Sequence, residues 1–280
     1  MAAHRDPRPI GVFDSGVGGL TVLAELHRRL PQEPTVYLGD NARAPYGPRP
    51  ADEVSRFTLE AVDWLLDQDV KLLVLACNTA TSRALPEVRR RSPVPVLGVV
   101  RPGAVAAAAA TRAREVGVIA TAGTVESGAY PDAIVEADAA IEVAQLACPE
   151  LVPMVEAGIL DGRRAESVLR AYLEPLHAAH PRMDTLLLGC THYPLLRGPI
   201  ERIVGPGVAV VDSAFTTALA VEDLLDALGA RTPPGSAPVH RVATTGDVDA
   251  FVTVAQRLFG EALPDVEAVE IGAPAPVPVD

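Results

Sequence analysis

LLVLACNTA (72–80) and TLLLGCTHY (185–193) decide the fold. Each opens with an unbroken apolar run of strand length, passes through one small residue to a cysteine, and continues into hydrogen-bonding side chains. A strand that is apolar at every position is buried on both faces, the mark of a parallel sheet with helices on each side. Similar runs flank the first stretch at 9–13, 35–38 and 94–100, and the second at 115–120, 141–146 and 208–211, with a further strand at 240–244. Helices are predicted between them, at 20–29, from 77–79 onward, and at 103–113, 127–137, 150–158, 163–178, 215–228 and 248–259. Val54, Phe57, Ala61, Trp64 and Leu65 add another at a 3.6-residue period. TAGT (121–124) reads as a turn, 42–50 and 230–240 as Pro-rich loops, and the arm 1–8 and the tail 272–280 as unstructured. The expectation is an α/β protein of two similar halves, each with a thiol at the tip of a strand. In such sheets ligands sit at the carboxyl ends of the strands.

Composition narrows the function. The chain has 280 residues, 49% of them hydrophobic and 21% charged, enough for one large core or two compact ones. Its net charge of −12 argues against a nucleic-acid partner or an anionic membrane surface, which call for an excess of Lys and Arg. Lys71 is the only lysine and opens an apolar strand. Schiff-base chemistry and a Walker phosphate loop both need a lysine elsewhere. Cys77, Cys148 and Cys190 lack C-x-x-C spacing, which argues against a zinc site or a disulfide framework. No signal peptide and no run of eighteen apolar residues is present, so a reduced, cytoplasmic protein is expected.

The chemistry-bearing residues gather at the strand ends. A free cysteine is ordinarily a small buried hydrophobe, and Cys148, in ACPE, is read that way. Cys77 and Cys190 are different: two thiols in matched contexts, each before a helix or turn start that would lower a thiol pKa. An acid and a base facing each other across a cleft can take a proton from one side of a carbon and return one on the other. His192 follows Cys190 by two residues, so a Cys–His hydrolase also fits these residues. GVFDSGVGG (11–19) is neither a dinucleotide fingerprint, since Thr21 stands where the third glycine belongs, nor a nucleophile elbow, since Phe13 and Val17 flank Ser15. Its glycines suit close backbone approach to a small anion, or simply a tight strand–helix turn.

GVFDSGVGGLTVL (11–23), LGDNARAPYG (38–47), LACNTAT (75–81), GTVESGAY (123–130), ACPELVPMVEAG (147–158) and LLGCTHYPLL (187–196) together resemble the glutamate racemase family. The resemblance implies cofactor-independent and metal-free racemisation of L-glutamate to D-glutamate for peptidoglycan. It implies that Cys77 takes the α-proton of D-glutamate and Cys190 that of L-glutamate. Asp14 would assist Cys77, while Glu156 and His192 would assist Cys190. Ser15, Asp40, Tyr46, Gly47, Asn78, Thr79, Thr124 and Thr191 would form the substrate site. The implied fold has two α/β domains about a pseudo-twofold axis, 1–98 with 210–280 and then 99–209, with the site between them. The implied partner is the small-molecule substrate, and a homodimer is compatible with the family. Asn41 and Ala44 depart from the family pattern, as does Arg101 in VVRPGA. A racemase for another acidic amino acid such as aspartate, a thiol hydrolase and a binding protein for an acidic amino acid are the competing readings.

Overall fold

The computed structural model describes residues 5–260 and 265–272. Strands and helices alternate from the start: β1 (Ile10–Asp14), α1 (Leu20–Arg29), β2 (Thr35–Gly39), α2 (Ala51–Leu66), β3 (Leu72–Leu75), α3 (Asn78–Arg91) and β4 (Val96–Gly98). Then come α4 (Val100–Ala110), β5 (Glu115–Ala120), α5 (Ala122–Ser127), α6 (Ala129–Ala137), β6 (Glu142–Ala147), α7 (Leu151–Glu156), α8 (Gly162–Ala179), β7 (Thr185–Gly189), α9 (Arg197–Val204) and β8 (Ala209–Asp212). The chain returns with α10 (Ser213–Leu228), β9 (His240–Thr244), α11 (Val248–Phe259) and β10 (Val266–Ala268).

The strands form two sheets, in the orders β10-β9-β2-β1-β3-β4 and β6-β5-β7-β8, and every pairing is parallel. Without β10 and β9 at one edge, the first sheet has the order of the second. β3 and β7, which lead into the cysteine motifs, therefore hold equivalent positions. Both are buried along their whole length, as unbroken apolar runs require. One buried apolar cluster joins Val12 and Val74 of the first sheet to Ile119, Leu186 and Leu188 of the second.

Several boundaries differ from the sequence reading for local reasons. Val99 already has helical dihedrals, so α4 starts at Val100 and β4 keeps only three residues. TAGT is not an open turn: the Thr121 hydroxyl caps α5 by accepting the Thr124 N–H at 3.4 Å. Gly128, at φ +68°, ends α5, and the helix expected at 127–137 starts after it as α6. The 3-10 turns Asn41–Arg43 and Tyr193–Leu196, helix α9 and strand β10 were not foreseen.

The arm is a correction. Residues 1–4 of the arm and 273–280 of the tail, expected to be unstructured, lie outside the described residues, as do 261–264. Residues 5–8, however, are held in place. Lys71 Nζ donates to the Asp6 carbonyl (2.7 Å), Glu33 Oε2 (2.5 Å), the Ala230 carbonyl (3.0 Å) and Thr232 Oγ1 (3.2 Å). The Asp6 N–H bonds the Arg231 carbonyl at 3.2 Å. One buried ammonium thus ties the arm, the β1–β3 base and the Pro-rich loop together, and its side chain is 1% exposed. Among the described residues no helix is long and apolar enough to cross a membrane. Replacing Lys71 by Met should strand Glu33 as an uncompensated buried charge and cost about 3–5 kcal/mol in urea unfolding. Adding Glu33→Leu should recover much of that loss.

Candidate active site

Because all strands in each sheet run the same way, their carboxyl ends lie along one edge. The two edges meet around a cavity of about 550 Å³. From the first sheet it is lined by Ser15 and Gly16 after β1, by Asn41 and 44–48 after β2, and by Cys77, Asn78 and Thr79 after β3. The second sheet contributes Thr121 and Ala122 after β5, Cys148 and Pro149 after β6, Val152, Pro153 and Glu156 of α7, and Cys190, Thr191 and His192 after β7. Both motif cysteines therefore face one space from opposite sheets. Cys77 is the N-cap of α3: its Sγ accepts the Ala80 N–H at 3.4 Å, and the thiol reaches Ser15 Oγ at 3.4 Å. Cys190 Sγ lies 3.8 Å from His192 Nδ1, and His192 Nε2 lies 3.0 Å from Glu156 Oε1.

Ten of the expected site residues line the cavity: Cys77, Cys190, Glu156, His192, Ser15, Tyr46, Gly47, Asn78, Thr79 and Thr191. Asp14, Asp40 and Thr124 do not; each lies behind the wall. Asp14 accepts the Gly16 N–H at 2.8 Å and the Thr191 hydroxyl at 3.4 Å. Asp40, fully buried, accepts Tyr46 Oη (2.5 Å), Arg43 Nε (2.7 Å) and Thr245 Oγ1 (2.6 Å). It anchors the 41–48 loop from behind the wall. Thr124 Oγ1 contacts Thr79 Oγ1 at 3.3 Å and Thr121 Oγ1 at 3.0 Å.

The two edges are also bonded to each other. Gly123 N–H donates to the Gly47 carbonyl at 2.9 Å, Thr79 Oγ1 meets Thr121 Oγ1 at 2.9 Å, and Tyr130 Oη donates to Asn78 Oδ1 at 2.6 Å. Asn78 Nδ2 is buried without a partner among the described residues, so this cavity-lining side chain keeps a donor free. Gly18 sits so close to the other edge that a Cβ there would lie 2.4 Å from His192 Nδ1.

The Asp/Glu/Hydantoin racemase family matches residues 10–222. The chain belongs to this family. It is 48% identical over 254 residues to a glutamate racemase of Oceanobacillus iheyensis, covering 91% of this chain and 92% of that one. The structure of a glutamate racemase isoform from Bacillus anthracis superposes with a TM-score of 0.90 at 41% identity, over 96% of this chain and 98% of its own. A glutamate racemase from Francisella tularensis, in complex with D-glutamate, gives 0.86 at 33% identity, over 95% and 98%.

Burial dominates the electrostatics of this enzyme's site. It pushes the Cys77 thiol up to about 12, and the neighbouring Asp14 adds to the effect. That corrects the expectation that its helix N-terminus makes it acidic: the bonds from Ser15 and Ala80 act in that direction but are outweighed. Burial also raises the Asp14 carboxyl. For His192 burial works against the cation, but its bonds to Cys190 and Glu156 prevail and hold it up to about 10.

Thr121 and Asn41 are polar lining residues that the sequence reading does not place in the site, and Cys148 shares the cavity although it reads as structural. The signal for Thr121 was its place as an N-cap threonine directly after a buried strand. His192, raised in the fold, contributes stability fully present below its unfolded pKa of about 6.5 and lost as pH rises through about 10. Thermal midpoints across that window should fall for the wild type, and His192→Gln should flatten the fall.

Proposed function

We propose that the enzyme interconverts L- and D-glutamate without a cofactor, by two-base proton transfer between Cys190 and Cys77, and that it supplies D-glutamate for peptidoglycan in the cytoplasm. The observation that carries this reading is the pair of thiols at equivalent strand ends, facing one cavity from opposite sheets. In the direction L to D, Cys190 as thiolate takes the α-proton and leaves a carbanion. The Cys77 thiol then protonates the opposite face, which yields D-glutamate and a Cys77 thiolate. The reverse direction exchanges the roles. The raised Cys77 thiol suits a resting acid, and His192, held by Glu156, is the proton partner of Cys190.

The substrate carries two carboxylates and an ammonium group. Neutral donors suit it: the Ser15, Thr79, Thr121 and Thr191 hydroxyls, the free Asn78 amide, and the N–H groups that open α3. Asp14 and Asp40 act in this reading as supports behind the wall, Asp14 through its charge near Cys77 and Asp40 through Tyr46 and the Gly47 loop. Thr124 supports Thr79. An α-proton is a very weak acid, so preorganised hydrogen bonds in a dry site must lower the barrier. Two domains are proposed to follow the two sheets, with the first crossing after β4 and the second after β8, at 212 and not at 209–210 as the sequence reading places it, because β8 pairs with β7.

Incubation with L-glutamate in deuterated water, with no added cofactor, should give D-glutamate carrying one α-deuterium. Exchange with aspartate alone, hydrolysis of an amide or ester, or binding without exchange would each replace this reading with another. Cys77→Ser and Cys190→Ser should each lose racemisation by at least on the order of 10²-fold. With 3-chloroglutamate, whose β-chloride leaves after one deprotonation, Cys77→Ser should still eliminate from the L-enantiomer and Cys190→Ser from the D-enantiomer. Variants that lose or keep both eliminations alike would overturn the one-thiol-per-face assignment.

A further inference from the structure

The loop after β7 lacks a donor that its own turn would normally provide. In a 3-10 turn each carbonyl is bonded by the N–H three residues on. The Tyr193 N–H bonds the Cys190 carbonyl at 3.1 Å, and the Leu195 N–H bonds the His192 carbonyl at 3.2 Å. The donor due to the Thr191 carbonyl is residue 194, a proline with no N–H. The bond comes instead from the other half of the chain. Thr21 Oγ1, on the first turn of α1, reaches the Thr191 carbonyl at 3.0 Å and the Gly18 carbonyl at 2.9 Å. Gly18 already accepts the Thr21 N–H at 3.1 Å, so the Thr191 carbonyl is the one that depends on the hydroxyl. Thr21 and Thr191 are both buried, where a carbonyl without a donor bears its full desolvation penalty. The bare Gly18 beside His192 and the Thr191 bond to Asp14 show how closely α1 and this loop are fitted.

We infer that Thr21 is a positioning residue whose hydroxyl latches the Cys190–Thr191–His192 segment onto α1. It does not line the cavity and acts only through Thr191. The latch sets how far Cys190 stands from a substrate held by the first-sheet residues Ser15, Tyr46, Gly47, Asn78 and Thr79. The inference rests on the proposed role of Cys190 as the base for L-glutamate.

The test is elimination from each enantiomer of 3-chloroglutamate, read as turnover at saturating substrate. Thr21→Val keeps the shape and removes the hydroxyl. Its turnover with the L-enantiomer should fall about tenfold, the kinetic equivalent of one lost buried hydrogen bond, while turnover with the D-enantiomer stays at the wild-type rate. Thr21→Ser should restore the L-rate. Thr21→Ala should repeat the selective loss and stands in if valine does not fold. A merely structural Thr21 would lower both eliminations together. Equal loss with both enantiomers, no loss with either, or a serine variant as slow as valine would overturn the latch. The two Cys→Ser variants run alongside separate the failures. If they show the crossed pattern and Thr21→Val does not discriminate, the latch alone falls. If they do not, the two-thiol reading falls and the latch with it.

Discussion

A single parallel sheet presents all its strand ends on one side. Chemistry that needs groups on both faces of one small molecule therefore needs two such edges set against each other. That constraint organises this chain. The order β2-β1-β3-β4 is repeated as β6-β5-β7-β8, and each copy carries a thiol just beyond its third strand in sequence order. The bonds between Gly47 and Gly123, Thr79 and Thr121, and Asn78 and Tyr130 then hold the two edges in register. These bonds are 2.6–2.9 Å long, so the spacing across the cavity is set largely by backbone and small hydroxyl groups, which have few conformations to choose from.

The electrostatic design follows from the acidity of the chain. At net charge −12 the protein as a whole offers an anionic ligand no long-range attraction. The lining meets this with neutral donors and a raised histidine that pairs with the one lining carboxylate, Glu156, while Asp14 and Asp40 are hidden behind it. Asp40 has three donors on its two oxygens, and Asp14 is turned toward Gly16 and Thr191. Burying them in bonded positions uses their charge to hold loops without presenting it to a ligand of the same sign.

Much of this was legible in the sequence because the most buried parts leave the strongest patterns. The runs at 72–76 and 185–188 need only apolar side chains on both faces, and the motif cysteines follow directly. The misses have physical reasons. β10 is short and largely exposed at the sheet's edge, so it carries no apolar run. The arm reads as charged and Pro-rich, yet it is held by a lysine 65 residues further on. Whether a polar residue faces the cavity or stands behind it, as Asp40 and Thr124 do, depends on one turn of backbone that spacing does not encode. The Cys77 thiol shows a contest of effects: a helix N-terminus is visible in the sequence, while the depth of burial that outweighs it is a property of the assembled fold.

Lys71 has a consequence beyond stability. It is the chain's only lysine, and its amine is enclosed by Glu33, two carbonyls and a threonine hydroxyl. An acylating reagent that attacks primary amines can reach this nitrogen only when the base of the first sheet comes apart. The rate of acylation at that one side chain is therefore a clock for large-scale opening of the fold, built into the native sequence and read from a single peptide by mass. Since the lysine lies at the strand-start end of the first sheet and the cavity at the other, the clock can run without touching the chemistry.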